Sequence, residues 1–589
     1  MALTIHGTNT RRLFRCGWLA TRRALLNEVS EKVDTLRPMV VNPFPSTTPG
    51  RNTLCPCGSG KKVKACCGAS GAMPHSVLPD DSAQRHREAY DAVKRGDHAE
   101  AERCFRELLA GKPNDAAFMA GLGQALCWLK RRKEGVAHLL RAAKAVQRQT
   151  EKHCAPAFAV DLSAQLLHWG EADAAERLAR VAVRVAPDSA VALNNLALCL
   201  SRVNRHREAL PLARRVCALL PQHPGCSILL ATLEARAGER DAALARLAQV
   251  IERNDEPLQT ARAWLESSVI LDTLARYDDA FAAMTRAGAL HSAAYDFPPD
   301  RRDYFFDNLA RNRDGFDAVL LNRWSAEDLA SDGLPSPIFL LGFLRSGTTL
   351  TEQVIAAHPR LMATDESSIV FEMGQQLVAM TGIHDHQADA VRRLNQAQVQ
   401  ALRRFYWQRM ALEFGDQVMR RPLIDKHALN TIDLGLIAVV FPAAKILFAV
   451  RDPRDICISC FMQPFAPSPA TINLLSWQGI AQQYAAVMDY WLHLRPLMQP
   501  SYLELRYEDS VGDFETCYRR VFEFLGVEWV DEVTRFHEKV QGRYVSTPSF
   551  AQVSQPLYRS AVARWRHYPG QVEEIMPCLQ RFVAAFGYD

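Results

Sequence analysis

Residues Pro337–Leu350 read PIFLLGFLRSGTTL. The apolar run Ile338–Leu341 has the character of a buried strand. It leads into a loop in which Gly342 and Gly347 are separated by four residues, with the hydroxyls of Ser346, Thr348 and Thr349 around the second glycine. A helix is expected from near Gly347 to Ala357. Glycines at this spacing let backbone N–H groups converge on an anion, and the helix start favours negative charge. The spacing is that of a nucleotide phosphate loop, yet the position that would carry its lysine is Thr348. That residue argues against nucleoside-triphosphate hydrolysis and leaves Arg345, inside the loop, as the cation. A second basic signature, KILFAVRDPRDICIS, covers Lys445–Ser459, with Arg451 lying 106 positions after Arg345. It reads as a strand, then Arg451, then a helix with Ser459 on its first turns. A guanidinium fork and a hydroxyl suit a terminal phosphate dianion.

A different chemistry is written at residues 55–68, CPCGSGKKVKACCG. Cys55, Cys57, Cys66 and Cys67 can converge as four thiolates on a tetrahedral zinc ion. Gly58 and Gly60 allow the turn between the pairs, and Lys61, Lys62 and Lys64 offset the negative charge. The segment resembles the SEC-C zinc motif, although that family more often ends in Cys-His. The resemblance implies a structural zinc ion and a docking module for a partner that the sequence does not name.

The loop, followed by His358-Pro359, and the Arg451/Ser459 signature together resemble sulfotransferases that use 3′-phosphoadenosine 5′-phosphosulfate. The resemblance is nearest to tyrosylprotein sulfotransferases and the bacterial tetratricopeptide sulfotransferases, and covers about residues 335–568. It implies that Arg345, Ser346, Gly347, Thr348 and Thr349 hold the 5′-phosphosulfate, and that Arg451 and Ser459 hold the 3′-phosphate. The segment ATDESSIV puts the catalytic base at Glu366, with Asp365 as the other carboxylate that could act. DKHALN puts the catalytic lysine at Lys426, with Ala428 in place of the usual proline. LRYED puts an adenine contact at Tyr507. The closing segment PSFAQVSQPLYRSAVARW puts a sulfuryl-contacting serine at Ser549 and a donor-binding cation at Arg564. A phenol of pKa about 10 needs such a base near neutral pH. Lys426 would stabilise the leaving oxygen, and Arg345 and Ser549 the sulfuryl oxygens. Of the nearby histidines, His358 reads as the cap at the end of the loop helix and His427 as a neighbour of the site.

These residues need a scaffold, and the chain offers two. Between residues 82 and 295, Ala101, Gly135, Ala175, Ala209 and Ala243 recur at steps of 34, 40, 34 and 34, and Pro113, Pro187 and Pro221 each follow a small residue by twelve. Small residues where two helices cross, with proline ending the second, resemble the tetratricopeptide repeat. Five repeats are expected, with a sixth around Tyr277–Leu290. The fold class is therefore α plus α/β: a basic segment (1–50), a zinc motif (51–72), an α-solenoid (82–295), and a phosphate-loop α/β domain with a parallel sheet (335–589). The 589 residues carry a net charge of +5, but residues 1–72 hold 11 Lys/Arg against 3 Asp/Glu, so only one end is basic. No aromatic pattern interleaves that basic end, so no nucleic-acid partner is expected. An odd count of 15 scattered cysteines points to a reducing compartment, and a cytoplasmic location is expected. The most apolar stretch, Leu434–Val450, is broken by Pro442 and Lys445, so no transmembrane span is expected. Three readings stay open: a sulfotransferase for a protein tyrosine recruited by the repeats, one for a carbohydrate or small-molecule hydroxyl, and a scaffold with an inactive transferase domain.

Overall fold

The computed structural model describes residues 80–148, 155–295, 299–384, 386–465, 468–540 and 561–589. The basic N-terminal segment, the four motif cysteines and Ser549 lie outside the described residues. From Asp80 to Tyr295 the described chain forms twelve helices in six consecutive pairs, the last being Pro257–Thr273 with Tyr277–Tyr295. The periodic small residues explain themselves here. Ala101, Gly135, Ala175, Ala209 and Ala243 are each the fourth residue of the second helix of a pair, and Ala280 extends the series to the sixth. All six are buried. A Cβ on Gly135 would stand 2.6 Å from the carbonyl oxygen of Gly123, so there the two backbones touch. The 40-residue step arises partly because helix Arg132–Arg148 has 17 residues where its counterparts His98–Gly111 and Ala172–Val185 have 14.

The α/β domain is built on a five-stranded sheet of order β2-β3-β1-β4-β5. Its strands are β1 (Ile338–Gly342), β2 (Met362–Ala363), β3 (Leu423–Lys426), β4 (Lys445–Val450) and β5 (Ser501–Arg506). Every pairing is parallel, with Leu340 opposite Leu447 and Lys426. Side chains alternate across a strand. Phe339, Leu341, Ile446 and Phe448 enter one apolar core, while Ile338, Leu340 and Leu447 enter the other. Burial on both faces is why β1 and β4 read as unbroken apolar runs. The first core reaches back through Phe305, Leu309 and Phe316, so the helix Pro299–Gly315 packs with this domain before its first strand begins.

The last solenoid helix lies directly on the α/β domain. Phe281 meets the rings of Phe461, Trp477 and Tyr568, and a Cβ on Gly288 would fall 2.1 Å from the carbonyl oxygen of Leu475. Alanine normally improves a helix interior over glycine by about 1 kcal/mol. At Gly288 that gain meets a backbone atom which can yield only by shifting the domain contact, a cost of about 1–3 kcal/mol or more. Gly288→Ala is therefore expected to lower the melting temperature, read by calorimetry; a variant that melts higher than wild type would show that the contact is loose.

Candidate active site

The sheet places its chemistry at one edge. Gly342, Lys426, Val450 and Arg506 are the last residues of β1, β3, β4 and β5, so the loop, Lys426, Arg451 and Tyr507 all emerge at the carboxyl ends of parallel strands. That edge is where open α/β sheets bind ligands.

The loop runs from Gly342 to the helix Thr348–Ala356, one residue inside the expected ends. Gly342 and Gly347 have φ of 151° and 101°, a region that side chains resist. A Cβ on Gly347 would lie 2.8 Å from the Tyr507 ring, so the ring rests directly on the loop backbone. The hydroxyl of Thr431 donates to the Gly342 carbonyl (2.8 Å) and accepts from its N–H (3.1 Å), which fixes the loop's start. The two basic signatures then join. Arg345 Nε donates to Ser459 Oγ at 3.0 Å, and Arg451 Nη1 donates to the Arg345 carbonyl at 3.1 Å. The Arg451 guanidinium lies 4.8 Å above the Tyr507 ring. Two buried donors, Ser346 Oγ and Arg451 Nε, have no hydrogen-bond partner among the described residues. Buried donors without acceptors, next to a helix N-terminus, are what a phosphate or sulfate would satisfy. The residues present therefore fit an anionic nucleotide.

Across the loop helix, Lys426 is fully buried and surrounded by acids. Its Nζ is 3.0 Å from Asp365 Oδ1, 3.3 Å from Glu366 Oε1 and 3.2 Å from Glu352 Oε2. Burial alone would drain the charge from Lys426, but the carboxylates, Glu352 foremost, reverse this and hold its ammonium above the ordinary lysine value. Glu352 is itself buried, and that burial pushes its carboxyl up to about 8 against the pull of Lys426. Asp365 and Glu366 are partly exposed, with side chains 31% and 41% open to solvent. They are held in place by Asp425, which accepts hydrogen bonds from Ser367, Thr364 and Tyr406 at 2.9, 3.3 and 3.0 Å. Burial raises that carboxyl to about 6. The N–H of Glu366 donates to the Lys426 carbonyl at 3.0 Å.

Backbone strain marks the same places. Among the described residues, seven that are not glycine have positive φ. Lys130, Asn204, Asn254 and Ala275 follow solenoid helices; the other three are Arg345 (66°), Glu366 (48°) and Ala563 (57°). Such residues cost about 1–3 kcal/mol each and persist where the surroundings over-determine them.

Most of the expected site thus comes together: Arg345, Ser346, Gly347, Arg451, Ser459 and Tyr507 on one side, Lys426 and Glu366 with Asp365 on the other. Ser459 sits in the last turn of the helix Pro453–Phe461 rather than its first, because the helix begins at Pro453. Arg564 is engaged elsewhere, in an ion pair with Asp272 of the solenoid. His427 is half-buried, with Nδ1 unpartnered among the described residues, and desolvation holds it below the ordinary histidine value. His358 ties the turn after the loop helix: Nδ1 accepts from the Arg360 N–H and Nε2 donates to the Glu528 carbonyl. The sequence reading missed Glu352. Its one signal was a carboxylate four residues after Thr348, on the same helix face.

Residues 337–531 match the sulfotransferase family, residues 51–69 the SEC-C motif, and residues 86–149 and 228–294 the tetratricopeptide repeat. An uncharacterized protein of Aquifex aeolicus is 29% identical over 55% of this chain and 42% of its own length, so the chain spans less than half of that relative. Protein-tyrosine sulfotransferase 2 of Gallus gallus is 26% identical over 43% of this chain and 69% of its own. An omega-hydroxy-beta-dihydromenaquinone-9 sulfotransferase of Mycobacterium bovis is 28% identical over 20% of this chain and 34% of its own. Among the described residues, no helix is long and apolar enough to cross a membrane, and no group of three or more His, Cys, Asp or Glu is placed to hold a metal ion.

The raised Glu352 carboxyl has a consequence for stability. Its folded value, about 8, exceeds the ordinary 4.5, so between these values the folded protein binds the proton more tightly than the unfolded chain. That contribution is full at low pH and is lost as pH rises through the folded value. Glu352→Gln removes it. The melting temperature of wild type is therefore expected to fall relative to Glu352→Gln from about pH 5 to about pH 8; a constant gap across that range would show that Glu352 takes up no proton.

Proposed function

We propose that this chain, whose residues 337–531 belong to the sulfotransferase family, moves a sulfuryl group from 3′-phosphoadenosine 5′-phosphosulfate to a hydroxyl acceptor. The preferred acceptor is a protein tyrosine brought by the solenoid. The observation that carries this reading is a lysine-free anion loop locked to Arg451, with a buried lysine that touches two partly exposed carboxylates beside it. In-line sulfuryl transfer has a loose transition state with charge spread over oxygens, so positioning and electrostatics supply the catalysis. Each residue then has a defined task. The loop amides with Ser346, Thr348, Thr349 and Arg345 bind the oxygens of the 5′-phosphosulfate. Arg451 and Ser459 take the 3′-phosphate, and the Tyr507 ring faces the base. Glu366 accepts the proton of the attacking hydroxyl, with Asp365 beside it as the alternative base. Lys426 places its positive charge where the leaving oxygen gains negative charge. His427, held neutral by burial, is a poorer base near its strained neighbour Glu366. Ser549 completes the donor site on the strength of the resemblance alone, whereas Arg564, given a donor-binding role by the same resemblance, is paired with Asp272.

The likeness to protein-tyrosine sulfotransferases and the attached solenoid support a protein acceptor. The mycobacterial relative, named for a quinone hydroxyl, supports a small-molecule acceptor as the second reading. Cys55, Cys57, Cys66 and Cys67 would bind a structural zinc ion as a docking module, and the free thiols buried in the described chain suit a reducing, cytoplasmic setting.

Calorimetry with 3′-phosphoadenosine 5′-phosphate tests the donor site. Wild type is expected to bind at micromolar Kd or tighter, and Arg451→Ala to bind at least tenfold more weakly, about 1.4 kcal/mol. A folded wild-type protein that binds none would refute the transferase reading and favour the scaffold. Glu366→Ala is expected to keep nucleotide affinity within about twofold while losing labelled-sulfate transfer to tyrosine-containing proteins by roughly a hundredfold or more. Transfer that survives in Glu366→Ala but not in Asp365→Ala would move the base to Asp365.

A further inference from the structure

Residues 561–568 touch the donor site and the solenoid at once. Towards the donor site, the Ala561 carbonyl accepts from Arg451 Nη2 at 2.5 Å. The N–H groups of Ala563 and Trp565 each donate to Asp455 at 2.8 Å, and the Arg454 guanidinium lies 3.9 Å over the Trp565 ring. Towards the solenoid, both Asp272 oxygens pair with the Arg564 guanidinium, and Tyr568 Oη donates to Asp272 Oδ1 at 2.5 Å. The Tyr277 and His567 rings stack at 4.6 Å. Asp272 lies in the helix Pro257–Thr273, some 180 residues before Arg451, in the other domain.

This segment decides where Arg451 points. The guanidinium has two carbonyl anchors, Arg345 in the loop and Ala561 in the segment. Its rival is the Asp455 carboxylate, 3.9 Å from Nη2. Asp455 is already occupied by the two backbone donors of the segment. Withdrawing residues 561–565 would therefore remove one anchor and free a carboxylate to pull the fork off the loop. Ala563, at φ 57°, holds a conformation that costs energy, so the segment needs fastening at both ends. Asp272 is the charged fastening on the solenoid side.

We propose that Asp272 is a positioning residue for the donor site: through residues 561–568 it holds Arg451 on the loop, and so couples the solenoid to donor binding. This rests on the reading that the loop and Arg451 hold the donor. Coupling of this kind is reciprocal, so donor binding must also stiffen the end of the solenoid.

The test uses the full chain and 3′-phosphoadenosine 5′-phosphate. Asp272→Asn is expected to weaken nucleotide binding about five- to tenfold. Glu239→Gln, which breaks an exposed solenoid ion pair with Arg214, should leave it unchanged. Asp272→Asn added to Arg451→Ala should weaken binding no further, because both act on one guanidinium. By hydrogen exchange, nucleotide should slow residues 257–273 in wild type and not in Asp272→Asn. An Asp272→Asn protein that binds like wild type while residues 561–568 exchange faster overturns the proposal. Should Asp272→Asn fold poorly, Tyr568→Phe removes a single bond and must weaken binding in the same direction; unchanged binding overturns the proposal. If wild type binds no nucleotide, the donor reading fails separately, and exchange in the ligand-free protein decides. Faster exchange at residues 343–348 in Asp272→Asn upholds the link to the loop, and unchanged exchange refutes it.

Discussion

The ammonium of Lys426 has no exposed surface, and a buried charge of that kind survives only among groups that replace water. Its three carboxylates come from two directions. Glu352 belongs to the helix that begins at the anion loop, while Asp365 and Glu366 belong to the segment after β2. One cation thus ties the loop helix, β3 and the acid-bearing segment into a single register. The pair gives little net stability, since desolvation of a buried ion pair roughly offsets its attraction. What it gives is position. Removing one partner of such a pair costs about 3–5 kcal/mol, so alternative placements of the helix are penalised. The strained φ of Glu366 belongs to the same constraint, because its N–H is bound to the carbonyl of the lysine its side chain faces.

Under the proposed reading, the opposite side of the loop faces the complementary problem, how to hold an anion without the usual lysine. Arginine suits it, because a guanidinium stays charged when buried and its donors have fixed directions. Those directions are set by backbone carbonyls rather than carboxylates: Arg451 spends one Nη on Arg345 and the other on Ala561, and Nε stays open. Carbonyl anchors orient the fork without neutralising it. A carboxylate in direct contact would do both, and Asp455, bound by two backbone N–H groups, stands off at 3.9 Å. The site therefore separates its charges. Guanidinium donors thus gather at the loop, with the Asp455 carboxylate held 3.9 Å from Arg451, while acid stands around Lys426.

What the sequence revealed was whatever is encoded locally. The glycine spacing, the apolar runs of β1 and β4, and the small residue every 34 positions are each written within a short stretch of chain. The parallel sheet and the helical pairs follow from them. Glu352 escaped notice because a glutamate in the second turn of a helix usually faces water; only β3, more than 65 residues later, buries it. Arg564 shows the same limit from the other side. Its motif assigns it to a donor, while its partner Asp272 lies 292 residues earlier in a different fold. Ser459 was placed in the correct helix but at the wrong end, since Pro453 fixes the start and a serine carries no signal of distance from it.

The terminal repeat of a solenoid normally has one face without a neighbour. In this chain the α/β domain covers it. Phe281 meets Phe461 and Trp477, Tyr277 stacks on His567, and Gly288 brings a helix backbone against Leu475. Aromatic contacts and a backbone approach of this closeness leave little freedom of rotation between the two units. A flexibly tethered recruiting module raises the local concentration of any hydroxyl that its linker can reach. A fixed one does something narrower: it presents the site only with hydroxyls at a set distance and direction from the bound segment. Under the proposed reading, selectivity for the acceptor then arises from geometry between two sites on one rigid body, and the catalytic edge itself need make few side-chain contacts with the acceptor.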